Sequence, residues 1–293
     1  MNSYTSTTTI GDIRYLLNFN QCTASVIAKT SNKKYEGKIV IPEKIMVHKT
    51  IEFEVTGIAR RAFFRCTSLF SIVIPNSIKT IRDSAFAECS ALEEVILPAS
   101  INQINNNAFV GFSSLKSINL PNDLKEIGSG AFSGCTSLSF VTLPKKLKAI
   151  NSGLFMNCSS LISITIPNSV KTIDDEAFDS CSALTSIIIP NSVTHLGHGA
   201  FCNCISLASV TFPINLTKIQ NDILCKTFTF SIDEIEDLSK YFDTIPFEKV
   251  TKYLFENCPA LQIINVPTGK KEEYCKLGLE PYRTLIQEIE YIY

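Results

Sequence analysis

The chain has 293 residues and a formal net charge of −1, with 19% charged side chains, so its overall balance makes no electrostatic case for nucleic acid or an anionic membrane as partner. No apolar run reaches the roughly 18 residues that a transmembrane helix requires. The opening MNSYTSTTTIGDIRY lacks the basic-then-apolar order of a signal peptide, which points to a leader that is trimmed or absent.

Residues 1–10 are polar and threonine-rich and read as a loose tail. Ile13 to Phe19 and Thr23 to Lys29 predict strands, with a turn at Ser31-Asn32-Lys33-Lys34. Gly37 to Pro42 predicts a further strand closed by its proline, which has no N–H to give a ladder. Pro42 and Pro75 are 33 residues apart, room for an added hairpin between Val47 and Val55. Residues 1–61 are therefore expected to form an N-terminal tail and a β-rich cap.

From residue 62 a period takes over. Pro75, Pro98, Pro121, Pro144, Pro167, Pro190 and Pro213 stand 23 residues apart, and Phe63, Phe86, Phe109, Phe132, Phe155, Phe178 and Phe201 keep the same step. So does the leucine series from Leu69 to Leu207. Co-registered ladders at a fixed step mean stacked repeats, and this length lies in the leucine-rich-repeat window. Within one repeat, Leu69-x-x-Ile72-x-Ile74 is a short strand with one face buried, ended by Pro75. Asp83 then reads as a helix N-cap, with Asn106, Ser129, Ser152 and Asp175 as its equivalents. Ala85, Phe86 and Cys89 follow at one-turn spacing on a short helix. The expected fold is an α/β repeat: a right-handed solenoid of 23-residue repeats with short concave parallel strands and short convex helices.

Residues 62–224 form the regular array, whose last turn decays, with Leu216 and Ile219 in register and Ile223-Leu224 standing for Ala-Phe. Residues 225–245 read as a helical insertion, opened by the capping box Ser231-x-x-Glu234 and carrying Ile232, Ile235, Leu238 and Phe242 at helical spacing. The pattern returns for a last repeat over 246–267, and 268–293 is a C-terminal cap, helical from Lys270 to Leu277 with a closing strand between Leu285 and Tyr291.

The unit SLxSIxIPNSVKTIxxxAFxxC resembles the BspA-like, or Treponema-type, leucine-rich repeat of bacterial surface proteins, over 62–213 without a break and again over 253–267. Departures are local: Phe112 stands at a Cys position, Leu154 at an Ala position and Lys146 at a Ser position. The resemblance implies a secreted or cell-surface binding protein, often an adhesin for host matrix, neighbouring-cell or other partner proteins. It carries over no functional residues, because the family is defined by its scaffold.

No site for chemistry emerges. There is no nucleophile elbow, phosphate loop or dinucleotide fingerprint, so no catalytic residue and no cofactor is assigned. His195, His198, Cys202 and Cys204 imitate zinc-ligand spacing, but their repeat positions face different ways and no metal is assigned. Cys66, Cys89, Cys135, Cys158, Cys181, Cys204 and Cys258 share one repeat slot and read as packed thiols; Cys202 and Cys225 are the best disulfide candidate.

The candidate ligand platform is the outward face of the strands, with Val73, Ile96, Asn119, Phe140, Thr142, Thr165, Ile188 and Thr211 as its residues and Phe140 as the apolar anchor. Its small, hydroxyl-rich character suits a protein or glycan ligand. The alternative expectations are a structural spacer or scaffold presenting other domains, and a cytoplasmic location, where thiols persist.

Overall fold

The computed structural model describes residues 5–30, 33–219 and 254–290. The N-terminal part is built from strands Thr5–Ile10, Ile13–Asn18, Thr23–Val26, Glu36–Val40, Lys44–Val47 and Ile51–Ile58. Thr5–Ile10 corrects the loose-tail reading of residues 1–10: it pairs antiparallel with Ile13–Asn18 through a turn at Gly11, whose φ is +56°. The β-branched threonines of this segment suit a pleated, solvated surface, so polarity alone did not mark disorder.

Beyond residue 60 the chain coils, and most coils contribute to two parallel ladders. The strand before the proline pairs with its counterpart one period on, as Ser71↔Glu94, Ile72↔Val95 and Val73↔Ile96. A second, two-residue strand follows the proline turn: Thr80–Ile81 pairs with Gln103–Ile104, which pairs with Glu126–Ile127. The same ladder resumes through Ala149–Ile150, Thr172–Ile173, His195–Leu196 and Lys218–Ile219. The isoleucine or leucine of each of these pairs is buried and its partner residue is not, which is the alternation a one-sided strand requires.

The leucine-rich-repeat solenoid with parallel strands is thus present, but the expected convex helices are turns. Two residues in each coil adopt left-handed backbone angles, Ser84 (φ 51°) and Glu88 (φ 61°) in one coil, Gly130 (φ 63°) and Gly134 (φ 71°) two coils later. That geometry forbids α-helix continuation. The hydrogen bonds alternate accordingly. Ala85, Ala87 and Cys89 N–H donate within the coil to Arg82, Ser84 and Phe86 C=O at 3.1–3.2 Å. Ser84, Phe86 and Glu88 N–H donate to Asn106, Ala108 and Val110 C=O of the next coil at 2.8–3.0 Å. Every second amide is spent on holding coils together, so the buried turn is satisfied without a helix.

The residues expected as N-caps do a different job. Asp83 Oδ1 accepts from Asn106 N–H, Asn106 Oδ1 from Ser129 N–H, and Asp175 Oδ1 from His198 N–H, at 2.7–3.2 Å. They bracket adjacent coils. Serine hydroxyls do the same on the proline side, Ser77 to Val55 C=O, Ser100 to Ile78 C=O and Ser169 to Leu147 C=O at 2.6–2.8 Å. Lys146, in that serine slot, instead forms an ion pair with Asp123 of the preceding coil.

The core is an aromatic column. Phe63, Phe86, Phe109, Phe132, Phe155, Phe178, Phe201 and Phe255 stack with centroids 4.8–5.8 Å apart and planes within 19°. Offset-stacked rings contribute about 0.5–1.5 kcal/mol per pair beyond burial. Tyr35 closes the first end, its ring 4.5 Å from Phe63. At the other end Phe255 directly follows Phe201, and Phe201 N–H donates to Leu254 C=O. The slot after Ala200-Phe201 is therefore filled by Leu254-Phe255; Ile223 and Leu224, expected in it, lie outside the described residues. Equivalent asparagines Asn203 and Asn257 are 54 residues apart instead of 23, so this coil holds 31 extra residues. The expected helical insertion at 225–245 lies outside the described residues. Past the last coil, strand Ile263–Pro267 pairs with Ser209–Thr211, helical turns cover 271–285, and Ile286–Ile289 closes the sheet in parallel.

Candidate functional site

The outward strand face is built by alternation. Where Ile72, Val95, Ile118, Val141, Ile187 and Val210 point into the core, their sequence neighbours must point out. The register aligns those neighbours in columns: Val40, Val73 and Ile96 in one stretch, Ser117 beside Phe140 in the next, and Ile188, Thr211 and Asn265 in the third.

Of the eight expected platform residues, Ile96, Asn119, Phe140, Thr142, Thr165 and Ile188 are exposed, while Val73 and Thr211 are half-buried. Thr211 accepts a hydrogen bond from Asn265 Nδ2 at 3.2 Å. Phe140 is 59% exposed and Ile188 71%, unusual values for large apolar side chains and the observation on which a binding face would rest. Asn119, Thr142 and Thr165 lie past the hydrogen-bonded strands, which cover only Ser117–Ile118 and Phe140–Val141 there. The coil carrying Thr165 contributes no strand before its proline at all, so the ladder is broken between Val141 and Ser186. The platform is three short parallel stretches, of three, two and four strands, with breaks in the ladder between them.

Alternation within the strand missed three exposed apolar residues. Val40 extends the Val73–Ile96 column and was legible in GKIVIP. Phe70 and Ile162 are both at least half exposed. Phe70 is the extra residue of a β-bulge in strand Ser68–Val73, between Leu69 and Ser71, and Ile162 stands in the coil that has no strand before its proline. Ile162 immediately precedes Ser163, the repeat equivalent of Phe140, so the two adjacent coils each expose a large apolar side chain.

The cysteine slot is structural. Cys89, Cys135, Cys158, Cys181, Cys204 and Cys258 thiols each donate to the C=O of a phenylalanine in the preceding coil, Cys89 to Phe63 and Cys258 to Phe201 for instance, at 3.0–3.4 Å. Phe112 forgoes that bond and packs edge-on against Phe109 at 5.3 Å. Burial pushes the Cys181 and Cys204 thiols far above their ordinary value and Cys258 up to about 11. All described cysteines are free thiols. Cys202, expected in an exposed slot, is buried, and Cys225 lies outside the described residues. Its neighbours are equally dispersed: His195 is exposed and bonded to Thr194 Oγ1 through Nδ1, whereas His198 is buried and its N–H serves the Asp175 bracket. Among the described residues no group of three or more His, Cys, Asp or Glu could hold a metal ion.

Residues 43–132 and 102–231 match the BspA type leucine rich repeat region, in six copies. The chain belongs to the BspA-type leucine-rich-repeat family. The likeness extends to solved structures of bacterial proteins. The T. pallidum leucine-rich-repeat protein is 29% identical, with a TM-score of 0.59 over 69% of this chain and 91% of that one. A Bacteroides ovatus leucine-rich-repeat protein is 24% identical, with a TM-score of 0.55 over 88% and 70%. One from Eubacterium ventriosum is 20% identical, with a TM-score of 0.51 over 65% and 60%. No curated protein matches the sequence. The BspA-type assignment fits the internal geometry: proline, phenylalanine and cysteine ladders correspond to strand end, core column and coil-to-coil thiol bond.

Proposed function

We propose that this BspA-type chain is a non-enzymatic, adhesin-like binding protein, displayed at the cell surface or secreted, whose outward strand face takes a protein or glycan ligand. The observation that supports the reading is the exposure of Phe140 and Ile188, with Val40, Ile96 and Ile162, on a face whose other positions include small hydroxyl residues such as Ser117, Thr142 and Thr165. Large side chains pointing into water add nothing to the solenoid, and clustered exposed apolar groups mark interaction surfaces. The free thiols accord with an oxidising exterior as well as with a cytoplasm, because most are buried and protonated at neutral pH. Among the described residues no helix is long and apolar enough to cross a membrane.

The test is a binding array of matrix proteins, cell-surface proteins and glycans, probed with the wild type and with the Phe140→Asp/Ile188→Asp variant. Loss of a wild-type signal in a variant with an unchanged melting profile supports the reading. Unchanged binding removes the outward face as the site, and an array with no wild-type signal favours a spacer that presents other domains.

A further inference from the structure

We infer that the first coil carries a binding site for a sulfated polysaccharide, formed by Lys34, Arg61 and Arg65 around Phe64. The near-zero net charge conceals a local concentration of cations. The Arg65 guanidinium carbon lies 5.0 Å from the Phe64 ring centre, that of Arg61 5.2 Å, and Lys34 Nζ 5.7 Å. Lys29 Nζ sits 4.9 Å over the adjoining Tyr35 ring. Arg65 Nε donates to the Glu88 carboxylate of the next coil at 2.5 Å. Lys34 Nζ contacts a backbone carbonyl, that of Phe64, at 2.9 Å. Arg61 Nε is shut off from solvent and has no hydrogen-bond partner among the described residues. Gathering like charges around one ring is unfavourable unless an anion joins them.

The backbone sets the two arginines on one turn. Arg61 and Arg65 occupy the two left-handed positions of their coil, at φ 56° and 57°. In other coils those slots hold Gly130 and Gly134, Gly153 and Asn157, Ser84 and Glu88, or Glu176 and Ser180. The first coil alone puts arginine in both, so a single turn carries two guanidinium groups.

The chemistry of the ligand follows from the ring. Single-stranded nucleic acid is held by stacking bases on open aromatic faces, and here cations crowd the Phe64 ring. A duplex would demand a longer cationic stripe along its backbone. A sulfated sugar chain needs no π-face. It presents closely spaced, permanently ionised oxyanions that guanidinium forks bind with paired hydrogen bonds. This site lies on the turn side of the first coil and is independent of the outward strand face, so either can fail alone.

The experiment titrates the full chain with a size-defined heparin oligosaccharide, its chemically desulfated counterpart, and a single-stranded oligonucleotide of matched charge, across a salt series. The test variant is Lys34→Gln/Arg61→Asn/Arg65→Asn, which folds because Asn107, Asn157 and Asn203 hold the same slots. The control, Lys145→Gln/Lys146→Gln/Lys148→Gln, removes the same charge from an exposed run elsewhere. We expect heparin binding that is lost on desulfation. In the test variant it should weaken about tenfold or more, with the salt slope falling by about two to three, and it should be largely retained in the control. No binding at low salt, or equal losses in the two variants, overturns the proposal. So does tighter binding of the oligonucleotide with the same dependence on Lys34, Arg61 and Arg65, which would make the patch a nucleic-acid site.

Discussion

Gly197→Ala tests whether the coils are held at a distance that no side chain can share. A Cβ at Gly197 would stand 2.3 Å from both Asp174 C and Asp175 N and 2.6 Å from Asp175 Oδ1. Ordinary contact needs about 3.5 Å, so the two coils must part by roughly an ångström. Two short hydrogen bonds flank the site, Gly197 N–H to Ile173 C=O and His198 N–H to Asp175 Oδ1, each 2.7 Å. Such a separation stretches both past hydrogen-bond length. Losing one neutral and one charge-assisted bond costs about 2–4 kcal/mol, and overpacking strain adds about 1–3 kcal/mol. Gly153→Ala is the contrasting case. Its φ is +60° but nothing lies nearer than Met156 Cβ at 3.8 Å, so it carries only the left-handed penalty of about 1–2 kcal/mol. Urea unfolding followed by circular dichroism should therefore rank wild type above Gly153→Ala, and Gly153→Ala well above Gly197→Ala. Equal midpoints for the two alanine variants would refute the argument that close backbone approach, rather than backbone angle, fixes residue 197.

Alkaline pH should loosen the solenoid through its thiols. Burial holds the Cys258 proton up to about 11 and those of Cys181 and Cys204 higher still, against 9.0 in an unfolded chain. The unfolded state then binds fewer protons above that lower value, so stability is intact below about pH 9 and declines as pH rises toward the folded values. Urea midpoints measured across that range should fall, and a Cys181→Ala/Cys204→Ala variant should fall less steeply; a flat wild-type profile would contradict the buried-thiol picture. Ser84→Asn, at φ 51°, should raise the unfolding free energy by up to about 1 kcal/mol and the urea midpoint with it, because asparagine tolerates the left-handed angle better. An unchanged or lower midpoint would show that the angle at residue 84 costs little.

The sequence carried the period, and the period carried most of the core. Equal spacing of Phe63 through Phe201 left one arrangement in which all rings are buried at once, a column, because stacked coils superimpose equivalent atoms. Pro75 and its equivalents marked the strand ends for a reason local to one residue, the missing N–H. The signal for the turns was also present, in the glycine and asparagine placed four residues apart in Gly130–Gly134 and Gly153–Asn157. It was obscured by Ser84, Glu88 and Arg61, which take the same angles without advertising them, and by an Ala-Phe-x-x-Cys spacing that a helix would explain equally well.

Other features were decided only by the three-dimensional arrangement. Which amide bonds within its coil and which reaches the next depends on the separation between coils, a distance no single repeat encodes. The same separation turned Asp83, Asn106 and Asp175 from helix caps into brackets, and gave the cysteines from Cys89 to Cys258 in the shared slot a carbonyl in the preceding coil to bond. It let Leu254-Phe255 take the slot that register along the chain had given to Ile223-Leu224, because the column selects the residue that stacks on Phe201, not the one that comes next. The cationic cluster around Phe64 likewise joins Lys34 to Arg61 and Arg65 across a gap in sequence that composition averages to nothing. Periodicity specifies what repeats; the contacts between unlike segments, at the ends and at the interruption, belong to the folded molecule.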